Sequence, residues 1–339
     1  MLALARGVVR VAGSQAGEQQ LIVELADGEH PAVADVALLG ACEVGDEVIV
    51  NVVARELGLG SGGFDIVHAN LTRGLDLAVS GTEHVLKLNY TSLQHAVDPV
   101  ESRAGAASLA RLAGAPVGVI ALHGQLAPLA WAFARRAPGA GLGFVQTAGG
   151  ALPASHSRTV GELLAGGLLA GHIAAGAAFG GATGDAITTA GALAFAFTEL
   201  GWDAAVCGPG PGIVGSDSPL GHGGMVALDS AHAALALGAA TVIAPRMSSG
   251  DPRPVHRGLS HHTRTVLELA LAPLIVALPA SEPVPAVGGR THDWRRRGAD
   301  LTGYAASGLA QEIMGRRLAD DTLFFAAALA GGVVLGELA

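Results

Sequence analysis

Cysteine is nearly absent from this chain of 339 residues: Cys42 and Cys207 stand far apart and neither has a CxxC partner. That speaks against a disulfide-stapled fold and makes a reducing cytoplasm the expected compartment. Aromatic residues are scarce too. They make up 4% of a chain that is 50% hydrophobic, so Ala, Val, Leu and 50 glycines carry the apolar content. Such a mixture suits tight helix-on-sheet packing and argues against a large aromatic hot spot for a protein partner. Sustained basic runs are missing. The formal net charge is −9 and the pI near 5.8, and the short cluster Arg295, Arg296 and Arg297 is expected to be the solvated start of a helix. No nucleic-acid partner is therefore expected. The first residues lack the basic start and long apolar run of a signal peptide.

A mean hydropathy of +0.46 calls for a membrane check. Residues 163–184 contain no Asp, Glu, Lys or Arg, yet they hold His172 and seven glycines. They read as a buried helix, a buried strand and a turn. The apolar run at 323–338 is short and interrupted by Glu337. No membrane anchor is expected.

Up to about Leu88 the chain reads as β structure, with short β-branched runs at 8–11, 20–25 and 48–53 and another strand at 64–68. Gly45 and Asp46 supply a turn into a strand whose Val48 and Val50 point inward. A small barrel or sandwich over residues 1–95 is the predicted closure. From residue 100 to 280 the pattern changes. Continuous apolar strands at 117–122, 141–146, 174–179, 204–207, 240–244 and 274–278 alternate with helices. This predicts a Rossmann-like α/β domain, its mostly parallel sheet covered by helices on both faces. Residues 290–339 are expected to form a helical tail packed on that domain, with helices near 302–317 and 321–335.

In open α/β sheets, ligands collect beyond the carboxyl ends of the strands. One candidate there is the glycine-rich loop with Gly208, Gly210, Gly212 and Gly215, followed by Ser216, Asp217 and His222. Its backbone N–H groups, leading into a helix N-terminus, suit an anion. It is neither a dinucleotide fingerprint, since Pro211 removes a donor, nor a P-loop, since no Gly-Lys-Ser/Thr follows. The plain alternative is a long turn. The other candidate loop holds Arg246, Ser248, Ser249, Asp251, Arg253, His256, Arg257, Ser260, His261 and His262. Arginine forks suit phosphate or carboxylate, and neutral imidazoles suit proton transfer or a metal ion. The plain alternative is a polar loop whose Ser260 caps a helix. His123 follows the first sheet strand and is placed like a site residue. Asp185 reads as a helix cap, and Cys207 as a small buried hydrophobe.

Four stretches carry a resemblance. They are Glu56 to Gly63 with His68 and Asn70, Leu86 to Gln94, Gly208 to Gly215, and His256 to Thr263. In these the chain resembles a bacterial, mainly actinobacterial, family catalogued as a domain of unknown function, over most of its length. That pattern has a second basic residue where Asn89 stands and a proline where Ser92 stands. The resemblance implies kinship and no particular activity.

The leading expectation is a cytoplasmic α/β protein that binds a small phosphorylated or nucleotide-like ligand at the sheet's C-terminal edge. Gly208 to Gly215 would hold the anion, Arg246, Arg253 and Arg257 would neutralise it, and His261 or His262 would serve as general acid or base. No cofactor motif is identified. One alternative is a metal-assisted hydrolase using His222, His256, His261 and His262 with Asp217 or Asp251. The other is a non-catalytic assembly or interaction protein. Self-association into a homo-oligomer stays open.

Overall fold

Alternating apolar residues build the first unit, Met1–Ala96. Its barrel strands are β1 (Leu4–Ala12), β2 (Glu18–Leu25), β3 (Gly28–Asp35), β4 (Glu47–Asn51) and β5 (Asp65–Asn70). Side chains on successive strand positions face opposite ways, so Val9, Leu21, Val23, Val48, Val50 and Val67 meet in one core. The barrel closes in the order β1-β2-β3-β5-β4, with β3 and β5 parallel and β1 antiparallel to β4. Together with α1 (Val36–Leu39) between β3 and β4, this is the strand order of an OB-type barrel. Closure leaves no open edge. The short elements α2 (Val53–Glu56), β6 (Val85–Lys87) and β7 (His95–Val97) complete this part of the chain. The computed structural model describes residues 1–15, 17–59, 63–75, 83–103, 111–216 and 218–339. Asp217 and the middle of the 58–63 glycine stretch lie outside these.

The second unit, Val97–Ala339, rests on eight strands, the central ones mostly apolar. They are β8 (Pro116–Ile120), β9 (Leu142–Thr147), β10 (Gly171–Ala175), β11 (Gly184–Ala186), β12 (Ala204–Pro209), β13 (Ala240–Ala244), β16 (Ile275–Pro279) and β17 (Asp293–Arg297). All pair in parallel, in the order β11-β10-β9-β12-β8-β13-β16-β17. Strands buried on both faces need no polar alternation. On one face Val117, Val119, Ala205 and Cys207 pack under α5 (Thr189–Thr198), α6 (Val226–Ala236) and α7 (His261–Leu269). On the other, Ile120, Phe144, Ala204 and Val206 pack under α3 (Leu126–Arg136), α4 (Arg158–Ala165) and α9 (Thr322–Gly336). The remaining elements are the short pair β14 (Met247–Ser248) and β15 (Gly258–Leu259), the helix α8 (Leu301–Ala305), and the hairpin β18 (Glu312–Ile313) and β19 (Arg316–Arg317).

Two glycines carry the close packing. A Cβ on Gly143 would lie 1.9 Å from the Trp202 ring, and one on Gly332 would lie 2.1 Å from the Leu129 carbonyl oxygen, where α9 crosses α3. Among the described residues no helix is long and apolar enough to cross a membrane.

Several expected elements are corrected. Residues 295–297 belong to β17, not to a helix start. The strand pairs along the whole of β16, and charged side chains suit an edge strand. In the expected helical tail, α8 stops at Ala305. The chain turns back through Met314 (φ 48°) and Gly315 (φ 73°), the left-handed pair that a tight hairpin turn requires. The helix expected to reach Gly171 ends at Ala165, because Gly167 takes φ 67°. The strand after it therefore starts earlier, at Gly171. Thr188 caps α5, not Asp185.

Candidate functional site

The strands β12 and β13 each flank β8, so the loops that follow them rise on either side of its carboxyl end. The first loop runs to His222 and leads into α6. The second runs to Ser260, whose Oγ accepts the His262 N–H at 3.2 Å and starts α7. The two loops meet. The His222 and His262 rings stack with centroids 3.7 Å apart. His261 stands edge-on to both, at 5.4 and 4.4 Å, and His256 stacks on His261 at 4.8 Å.

Hydrogen bonds assign protons to two of these rings. His222 Nε2 lies 3.0 Å from the Pro219 carbonyl, which only accepts, so Nε2 donates and Nδ1 carries the lone pair. That Nδ1 is buried with no partner among the described residues, as are both nitrogens of His261. At His262 the Arg246 guanidinium donates to Nδ1 at 3.0 Å. His256 Nδ1 shares a 2.7 Å hydrogen bond with Ser260 Oγ.

The charges around the rings are arranged in a chain. Asp251, fully buried, meets Arg246 at 3.2 Å, Arg253 at 3.0 Å and Arg316 at 3.5 Å. Asp321, also fully buried, accepts from Arg316 Nε at 3.0 Å, Ser248 Oγ at 2.6 Å and the Ser249 N–H at 2.8 Å. Among the described residues, Arg246, Arg253 and Arg316 thus share the carboxylates of Asp251 and Asp321. Burial would raise the Asp251 carboxyl, but Arg253 and Arg316 hold it well below the usual range. Burial, and then the Arg246 charge, push His256 down to about 4 and His262 to about 2. Burial, and then His261, also lower His222. His222, His256 and His262 are therefore neutral at pH 7. Burial and Arg253 bring Arg246 down to about 10, which leaves it charged.

Beside the rings lies a cavity of about 150 Å³. Gly215, Ser216, Arg246, Arg253, His256 and His262 supply its polar wall, and Ile213, Val214 and Met314 its apolar one. Of the residues singled out in the sequence, these six polar-wall residues, His222 and His261 come together. Others serve elsewhere. Gly208 lies within β12, where a Cβ would meet the Ile120 side chain at 2.3 Å, and one on Gly210 would meet the Ala151 carbonyl at 2.3 Å. Gly212 makes a left-handed turn at φ 71°. Ser248 and Ser249 bind Asp321, and the exposed Arg257 donates to the Asp251 carbonyl at 3.0 Å. His123 belongs to another cluster, between the Pro209 carbonyl at 3.0 Å and Ser157 Oγ at 2.7 Å. Sequence reasoning missed Arg316, Asp321 and Met314. They arrive from the β18–β19 hairpin and the start of α9, and no local pattern ties them to the loops.

The fold and this edge define a two-unit α/β protein whose polar cluster sits where doubly wound sheets place ligands. The profile of a family described as "Protein of unknown function (DUF3866)" matches residues 31–332, and the chain belongs to that family. No curated protein and no solved structure gives a significant match.

Proposed function

We propose that the pocket between the β12 and β13 loops binds the anionic headgroup of a small molecule, a phosphate or carboxylate. The guanidiniums of Arg246 and Arg253 in its wall carry this reading. Arginine forks recognise such groups in bidentate fashion. A cavity of about 150 Å³ takes one headgroup, whereas pockets that enclose a drug-sized ligand span roughly 300–1,000 Å³. A nucleotide would leave most of itself outside. The neutral imidazoles beside the anion make proton transfer to or from the bound group the chemistry that best fits the site. The scarcity of cysteine supports a cytoplasmic setting.

The test is thermal unfolding with inorganic phosphate, phosphomonoesters and carboxylates. At a concentration 100 times Kd a ligand stabilises the fold by about 2.7 kcal/mol, a readable rise in midpoint. Arg253→Gln should abolish the rise. Arg257→Gln should keep it, because that side chain is outside the pocket wall. If no anion raises the midpoint, or both variants lose the rise equally, the reading is wrong.

A further inference from the structure

We propose that His222, His261 and His262 bind a divalent transition-metal ion of the zinc class, with an open coordination position facing the cavity. A ring nitrogen from each of the three lies within 4.8 Å of the others. Three nitrogen ligands around one ion, plus a free position, is the arrangement of catalytic zinc sites, and imidazole suits zinc, copper and nickel. The proposal does not rest on the anion reading, since the rings could hold an ion in a chain that binds no phosphate.

The hydrogen bonds single out these rings. A histidine that binds metal through one nitrogen gives its other N–H to a fixed acceptor, which sets the tautomer. His222 does this already. Its Nε2–H is held by the Pro219 carbonyl, and Nδ1, on a ring only 6% exposed, has a lone pair with no partner among the described residues. Both His261 nitrogens are buried in the same condition. Buried polar atoms in folded proteins normally find partners, and an ion would satisfy a nitrogen on each of these two rings at once. The rings come from separate loops, His222 ahead of α6 and His261 with His262 in the first turn of α7, so an ion would tie the loops together. Metal–nitrogen bonds of about 2.0–2.1 Å require the ring nitrogens to close in from their present spacing, and the stacked His222 and His262 rings to rotate out of parallel so that both in-plane lone pairs meet the ion. His262 also has to give up the Arg246 hydrogen bond if Nδ1 is its ligand atom, and Arg246 keeps Asp251 as its partner. Because His262 lines the cavity, the open position would point to where an anionic oxygen would rest.

The full chain, stripped with a chelator and dialysed, is titrated with Co²⁺ and separately with Zn²⁺. The expected result is one ion per chain, visible Co²⁺ bands of a four- or five-coordinate site, and displacement of Co²⁺ by Zn²⁺. His222→Asn and His261→Asn should each weaken binding at least tenfold, while His68→Asn, in the barrel, should not. In the unsubstituted chain, Zn²⁺ should shift the ring resonances of His222, His261 and His262 and leave those of His123 and His172 unmoved, a readout that needs no variant to fold. Sub-stoichiometric binding, equal affinity in His222→Asn, or shifts spread over all the histidines would overturn the proposal. Phosphate titrated into the stripped chain tests the anion reading separately, so either can fail alone.

Discussion

Lower the pH from 7 to 4.5, and two imidazoles on either side of Phe144 become the weak point of the second unit. His172 stacks on that ring at 5.4 Å and His123 meets its edge at 5.9 Å. Burial lowers both from 6.5 to about 4; a nearby His123 lowers His172 further, and the Pro209 hydrogen bond opposes the shift at His123. Above pH 6.5 both are neutral in the folded and unfolded chain, and stability does not depend on them. Between 6.5 and about 4 the unfolded chain takes up protons that the folded chain refuses, so stability falls as the pH falls. Each pKa unit is about 1.4 kcal/mol. Two histidines, each two pH units below 6.5, remove about 5 kcal/mol at pH 4.5, against the roughly 5–15 kcal/mol that holds a typical domain. Asp251 and Asp321 act in another window, because their carboxyls are held below 3.8 and lose their contribution only as the pH drops past that value. Urea unfolding at half-unit pH steps measures the slope. Burial lowers His222, His256 and His262 as well, and they add to the slope below pH 6.5, so the decisive comparison is His172→Leu, which should flatten the curve by about 1.4 kcal/mol per pH unit. A stability that stays level from pH 7 to 4.5, or a His172→Leu curve parallel to the parent's, would refute the reasoning.

Gly143→Ala should destabilise the second unit by about 1–3 kcal/mol or more, since the new Cβ would meet Trp202 at 1.9 Å; a lower urea midpoint with an unchanged m-value is the signature. Asp321→Asn should cost about 3–5 kcal/mol, because Arg316 loses its closest carboxylate and four donors on residues 248–250 lose an ionised acceptor. Calorimetry against the parent chain reads it, and a loss below 1 kcal/mol would show that water replaces the carboxylate.

The sheet was legible because its signal is local. Uninterrupted apolar strands alternating with helices read as crossover units, and β8, β9, β12, β13 and β16 fall where that pattern places them. The signal fails where a strand owes its state to a neighbour. Asp293 to Arg297 looks helical alone and is a strand because β16 presents a free edge to it. Gly28 to Pro31 has no strand pattern, yet pairs with β2 along an eight-residue ladder. In the pocket, the histidines and Arg246 could be named because they lie on the loops that follow two sheet strands and lead into helices. The Arg316–Asp321 pair could not, since a contact with Asp251 across 65 residues leaves no trace in composition or spacing.

The place of the pocket follows from the winding. Strands lie about 4.8 Å apart in a sheet, so β12 and β13, separated by β8, stand about 10 Å apart. Two side chains reaching inward from opposite loops can close such a gap, and His222 and His262 do so by stacking above the end of β8. The hairpin after α8 adds Met314 to the cavity wall, and its Arg316 joins Asp251 to Asp321 at the start of α9. No single segment holds the cluster. The rings keep their spacing only while β12, β13 and the C-terminal hairpin are all in place, so whatever binds there binds the folded unit alone. Its binding free energy must then appear as stability of the whole unit, which is why a rise in melting midpoint can report on the anion site.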